Sequence, residues 1–149
     1  MKLSTKGRYG LRVMFDLALN YSDTPVSLTD VSERQKISLS YLEQLMILLK
    51  KSGLVRSVRG AQGGYVLAKY PNAISVGDVL RAMEGSLAPT QCIEAVNGDI
   101  DCVPRLVYSK IYEGILDVVD NLTLQDMKEE FYSDYLVDEI VDLTKTKIQ

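Results

Sequence analysis

The 149-residue sequence predicts a mainly α fold carrying one small β-hairpin, and three observations carry that prediction. Apolar residues recur at helical spacing in four separate stretches. Capping and stop residues fall at the ends of those stretches. One short run, Leu54, Val55 and Val58 and then Tyr65, Val66 and Leu67, is broken by glycines at 60, 63 and 64, as a hairpin would be.

The first helix is expected to start near Thr5, with Gly10, Val13, Met14, Leu17 and Ala18 on one face. A short second helix opens at Ser27, with Asp30 in the third position of a capping box. In the third helix Leu42, Leu45, Met46 and Leu49 form the buried stripe. Ser40 with Glu43 reads as a second capping pattern, and Lys50, Lys51 and Gly53 form a C-terminal stop. Only "KIS", residues 36–38, separates the second and third helices, a link as short as a helix-turn-helix requires. After the hairpin, Ser75 and Asp78 cap a fourth helix whose stripe is Val76, Val79, Leu80 and Met83.

Beyond Gly85 the texture changes, and "SLAPTQCIEAVNGDIDC" reads as a loop. Pro104 suits the first turn of a long helix. Ten apolar residues from Leu106 to Leu122 exceed one buried face of a small domain, so a second face is expected to meet another chain. "TLQDM" starts another helical turn, and the acidic tail from Phe131 to Gln149 is expected to be helical in part and loosely held. The organisation predicted is a helix-turn-helix with its hairpin over residues 1–85, a loop over 86–103, and a long dimerisation helix with its tail over 104–149.

Composition bounds the function. Hydrophobic residues make up 46% and charged residues 25%, ordinary for one soluble domain. No run reads as a membrane span or a signal peptide, so a cytoplasmic protein without a membrane partner is expected. Histidine is absent, which removes the commonest general base and metal ligand together. The two cysteines, Cys92 and Cys102, form no CxxC pair, and no convergent acid–base set accompanies them, so no enzyme is expected. The net charge of −3 hides a split. Residues 1–70 hold eleven Lys/Arg against five Asp/Glu, a net +6, whereas residues 71–149 hold six against fifteen, a net −9. A basic first half fits a polyanionic partner, although charge that merely drifts along the surface would look the same.

Glycine costs conformational entropy and packs nothing, so Gly60, Gly63 and Gly64 imply positive φ angles or a close approach. A phosphate cradle would lie between a strand and a helix and end in Lys-Ser/Thr, whereas here the glycines lie between two strand-like runs and Tyr65 follows. A plain hairpin and a finger laid on nucleic acid both remain. The order helix, helix-turn-helix, hairpin is the winged-helix arrangement. Its third helix enters the major groove, and its wing lies along the backbone or minor groove. Glycines would let that wing come close to a duplex, and Arg59 would suit a narrow minor groove.

Four segments, "MKLSTKGRYGLRVMFDLAL", "VSERQKISLSYLEQL", "LLKKSGLVRSVRGAQGGYVLAK" and "ISVGDVLRAMEG", closely resemble the family of winged-helix regulators that includes the iron–sulfur cluster regulator IscR and the cysteine-metabolism repressor CymR. The likeness runs nearly continuously from Met1 to Gly85 and resumes in the long helix. It implies a homodimer on a palindromic double-stranded operator, with the two long helices crossed. It also implies that Ser38, Ser40, Tyr41, Glu43 and Gln44 face the major groove, and that Arg59, with Gly60, Gln62 and Gly63 of the wing, reaches the minor groove. Lys2, Ser4, Thr5, Lys6, Arg8 and Tyr9 would grip phosphates. The chemistry agrees: Gln44 can pair with an adenine edge, Glu43 can accept from cytosine or simply cap Ser40, and hydroxyls and lysines hold phosphates without reading sequence.

Many members of that family hold a [2Fe–2S] cluster with three cysteines and a fourth ligand. Cys92 and Cys102 match the first and last cysteine, and the middle one is missing from "IEAVNGDID". Arg105 stands where relatives carry a histidine, and Arg8 where some carry an acidic ligand. Three readings stay open. One is a cluster completed by carboxylates such as Glu94, Asp99 or Asp101 or by the partner subunit. The second is a thiol switch between Cys92 and Cys102. The third is loss of sensing, or control through a protein partner, such as a metabolic enzyme, or through a small molecule. The expected function is a dimeric regulator of iron–sulfur, redox or cysteine metabolism, acting as a repressor or an activator.

Overall fold

A computed structural model describes residues 2–94 and 104–148 of the chain. Helix α1 (Thr5–Leu19), α2 (Leu28–Gln35) and α3 (Leu39–Lys51) are followed by the antiparallel strands β1 (Val55–Val58) and β2 (Gly64–Leu67). A 3₁₀ turn (Pro71–Ala73) leads to α4 (Val76–Glu84). Then come a one-turn helix, α5 (Gln91–Glu94), and two long ones, α6 (Arg105–Asn121) and α7 (Leu124–Ile148).

The helical stripes bury as their periods require. Val13, Met14, Leu17 and Ala18 of α1, Leu42, Leu45, Met46 and Leu49 of α3, and Val79 and Met83 of α4 share one core with Val31, Ile37, Leu54, Val55, Leu67, Ile74 and Leu124. Ser27 caps α2 through Asp30, and Ser75 with Asp78 forms a complete capping box on α4. The third helix differs from expectation. Its N-cap is Ser38, whose hydroxyl accepts from the Tyr41 amide, and Ser40 lies inside the helix. Starting at Leu39 leaves Ile37 buried just before the cap and Leu42 buried in the first turn.

A carboxylate joins the first two helices. Asp16 is 1% exposed and lies on the apolar face of α1. Arg34 of α2 holds it with two hydrogen bonds, Nε to Oδ2 at 3.0 Å and Nη2 to Oδ1 at 2.7 Å, and Gln35 Nε2 adds a third at 2.9 Å. Its hydrogen bond to Asp16 raises the Arg34 pKa above the ordinary arginine value. This network, with Arg12 donating to the Gln35 carbonyl and side chain, fastens α2 to α1.

The hairpin pairs Val55 with Leu67, Arg56 with Val66, Ser57 with Tyr65 and Val58 with Gly64. Val26, before α2, exchanges both backbone hydrogen bonds with Tyr65 at 2.9 and 2.8 Å, which ties the wing to the helix-turn-helix. Its glycines are explained within the chain. Gly60 has φ +120° at the tip. A Cβ on Gly63 would strike the Val58 carbonyl, and one on Gly64 the Val26 carbonyl. Because those obstacles are backbone, Gly64→Ala is expected to destabilise the fold by about 2 kcal/mol, measured by urea denaturation.

Leu122, Thr123 and Leu124 anchor the C-terminal helices. Val76 N donates to the Leu122 carbonyl at 2.8 Å and Leu124 N to the Ile74 carbonyl at 3.0 Å. Arg81 of α4 pairs with Asp120 of α6. Thr123 caps α7 reciprocally with Asp126, and those hydrogen bonds hold the Asp126 carboxyl below the usual carboxylate range. The region expected to be a partly helical tail is one continuous helix from Leu124 to Ile148, packed on α1 through Phe15 and Phe131. The loop expected before the long helix includes α5. Among the described residues no helix is long and apolar enough to cross a membrane.

Candidate nucleic-acid interface

All eleven basic residues of the first seventy are exposed. The first turns of α3 lie open as well: Ser38, Ser40, Glu43 and Gln44 are exposed and Tyr41 is half-buried. Ser40, Gln44 and Ile47 share one face at spacings of four and three, and Ile47 is 66% exposed. The free amides of the first turn add a site for phosphate oxygens.

The N-terminus of α1 meets this helix start. Tyr9 and Tyr41 pack edge to face with ring centroids 5.8 Å apart, and the Arg12 guanidinium lies 5.2 Å above the Tyr9 ring. Thr5, Tyr9, Lys36, Ile37, Ser38 and Tyr41 line one shallow groove. Four of the residues expected at the interface, Thr5, Tyr9, Ser38 and Tyr41, therefore stand side by side. Lys2, Lys6 and Arg8 are exposed on the same N-terminal segment, and Arg8 donates to the Thr5 hydroxyl at 3.3 Å. Ser4 is engaged within the fold: it caps α1 by accepting from Gly7 N and bonds to Glu84.

At the wing, Arg59, Gly60 and Gln62 are exposed and Gly63 is half-buried. Lys50 near the end of α3 reaches Ser57 of β1 at 2.9 Å, joining the third helix to the base of the wing. Two residues belong beside those expected. Lys36 lines the groove and adopts a left-handed conformation with φ +55°, turning the chain between α2 and α3. A cation in the three-residue link was the available signal. Ile47 offers an apolar contact of the kind that meets a thymine methyl; its place one turn beyond Gln44 marks it.

On α6, Val107, Ile111, Gly114 and Val118 follow one another at spacings of four, three and four, the spacing of a helix–helix seam. Val107, Ile111 and Val118 are 57%, 43% and 63% exposed, and Gly114 faces open space.

A family model described as Rrf2, iron-dependent transcriptional regulator, matches residues 3–130. The chain belongs to the Rrf2 family. The HTH-type transcriptional regulator CymR of Bacillus subtilis is 42% identical over 127 residues, 85% of this chain and 89% of that protein. The HTH-type transcriptional regulator IscR of Erwinia tasmaniensis is 46% identical over 129 residues, 85% of this chain and 78% of its own length. The solved structure of B. subtilis CymR, the global cysteine regulator of that organism, superposes with a TM-score of 0.75 at 39% identity, covering 87% of this chain and 98% of that one. The T. potens IscR structure gives 0.73 at 48% identity, covering 87% and 88%. This Rrf2 chain is thus a winged-helix transcriptional regulator and not an enzyme.

Whether an Rrf2 protein built this way suits a [2Fe–2S] cluster is a question of donors. The chain has two cysteines and no histidine. Arg8 and Arg105, which the resemblance sets at ligand positions, carry guanidinium groups that offer a cation no lone pair, and both positions are described. Among the described residues no group of three or more His, Cys, Asp or Glu could hold a metal ion. Cys92 and Glu94 lie on α5; Cys102, Asp99 and Asp101 lie outside the described residues. Cys92 does not stand as a free thiol. Of these donors, only Cys92 and Glu94 lie among the described residues, and by themselves they do not make a four-ligand cluster site.

Proposed function

We propose that this Rrf2 protein is a cytoplasmic homodimer that binds a palindromic operator, with α3 in the major groove and the wing along the minor groove. The observation that carries the reading is the groove where Thr5 and Tyr9 of α1 stand against Ser38 and Tyr41 of an open helix start. Ser40, Glu43 and Gln44 read base edges there, while Lys2, Thr5, Lys6, Arg8 and Tyr9 take phosphates. Ser4 takes no phosphate through its side chain, because its hydroxyl is committed to Glu84 and Gly7. At the wing, Arg59 enters the minor groove with Gly60, Gln62 and Gly63 around it. The seam of α6 joins two copies, so that two third helices occupy half-sites about one helical turn apart.

For the signal sensed, Cys92 favours thiol chemistry with Cys102 over a cluster, since it is not a free thiol and no group of iron donors stands among the described residues. A metabolic-enzyme partner on the acidic half is compatible with that control and would co-purify.

Operator selection from random DNA tests the proposal. A selected palindrome bound with an affinity that falls steeply with salt supports it, and recovery of no preferred sequence overturns it. On that duplex Arg59→Ala is expected to weaken binding about tenfold and to relax preference where the minor groove is read. Unaltered affinity and preference in a gel-shift titration would remove Arg59 from the interface.

A further inference from the structure

Glu84 is the last residue of α4, yet its carboxylate works at the start of α1, eighty residues away. Its Oε1 accepts from the Ser4 amide at 3.1 Å and from the Ser4 hydroxyl at 2.5 Å. The same hydroxyl accepts from Gly7 N at 3.0 Å and so caps α1. Gly7 makes room for this contact, because a Cβ there would collide with Glu84 Oε1. Lys2 and Leu3 lie with Glu84 around a cavity of about 320 Å³ that Leu87 and Val119 also line.

A helix N-terminus draws anions, and here the chain supplies its own. The donors that a phosphate would use at Ser4 are taken, so ahead of Thr5 the grip of this end on DNA falls to Lys2. Lys2 and Leu3 belong to an arm outside the helix, whose ordering on binding costs entropy unless its root is already held.

We infer that Glu84 is the positioning residue of this arm: by holding the amide and hydroxyl of Ser4 it fixes the direction in which Lys2 leaves α1, and thereby the approach of Lys2 to a phosphate. The inference rests on the proposed DNA interface. It makes the end of α4, one residue before Gly85 and the segment leading to Cys92, a part of the DNA grip.

Affinity of the full-length protein for its selected duplex, followed by fluorescence anisotropy across a salt series, tests this. Glu84→Ala is expected to weaken binding about tenfold and to make the slope of log K against log salt shallower by about one per half-site. Lys2→Ala should give the same change of slope, and the double variant should be no worse than either single one. Glu84→Gln, whose amide oxygen can accept the same two bonds, should restore the slope and bring affinity to within about threefold of the parent. Destabilisation alone lowers the active fraction and leaves the slope untouched.

A parental slope in Glu84→Ala, with a shallower one in Lys2→Ala, overturns the inference and leaves the interface standing. Parental slopes in both remove the arm from the interface and the inference with it, while loss of binding in Arg59→Ala would still support the rest of the surface. Failure of Glu84→Gln to restore the slope also overturns it, since the effect would then belong to charge and not to hydrogen bonding.

Discussion

Replacing Arg34 with alanine is expected to cost about 3 kcal/mol of folding stability. The substitution strips a carboxylate that is 1% exposed of its two guanidinium hydrogen bonds. Gln35 and Asn20 remain within reach of Asp16, but neither carries a compensating charge. The Arg34 side chain is 42% exposed, so solvent screens part of the attraction and keeps the loss toward the low end for a broken buried pair. Urea denaturation at fixed protein concentration would read the loss as a lower midpoint at an unchanged slope. Removing both partners together, as Asp16→Leu with Arg34→Met, should cost less than Arg34→Ala alone, because no charge is then left buried. A loss below about 1 kcal/mol in Arg34→Ala would mean that neutral donors suffice for Asp16.

The second large effect concerns assembly. Val118→Glu places a carboxylate at the last position of the α6 seam, which is 63% exposed in the single chain. Two copies would meet there, so the change buries two like charges across a two-fold axis. Dimer affinity is expected to fall at least about 100-fold, some 3 kcal/mol, so that light scattering at micromolar concentration reports a monomer. Operator affinity should fall by a comparable factor, because each half-site is then bound without the effective concentration that a tethered partner provides. The far-ultraviolet circular dichroism should stay near that of the parent, since the side chain is no part of the monomer core. A Val118→Glu protein that stays dimeric would move the interface elsewhere.

Legibility from sequence followed physical range. Stripes such as Leu42, Leu45, Met46 and Leu49 declare their helix face because period alone decides it. The caps at Ser27 and Ser75 are local in the same way. Ser38 and Ser40 could not be ranked by pattern: Ser40 has Glu43 three residues on, and only the packing of Ile37 and Leu42 selects Ser38. Asp16 sits one residue before Leu17 in a stretch where a charge reads as surface, and its partner Arg34 is eighteen residues away. The Ser4–Glu84 contact spans eighty residues. The wing glycines announced close approach, but the atoms approached, the carbonyls of Val58 and Val26, are visible only once the chain is folded. Of the interface, the start of α3 and the charge of the first half were readable; the groove that Tyr9 and Tyr41 build with Lys36 was not. Helix α7 defeated its periodicity because its apolar residues fall on every side.

That last property reaches beyond packing. Tyr135, Leu136, Val137, Ile140 and Leu143 circle a helix, and each is at least 55% exposed in the single chain. A rod with oil on all sides has no orientation in which water is content with it. The lone polypeptide therefore keeps its fold but leaves that apolar area to water, where it invites association.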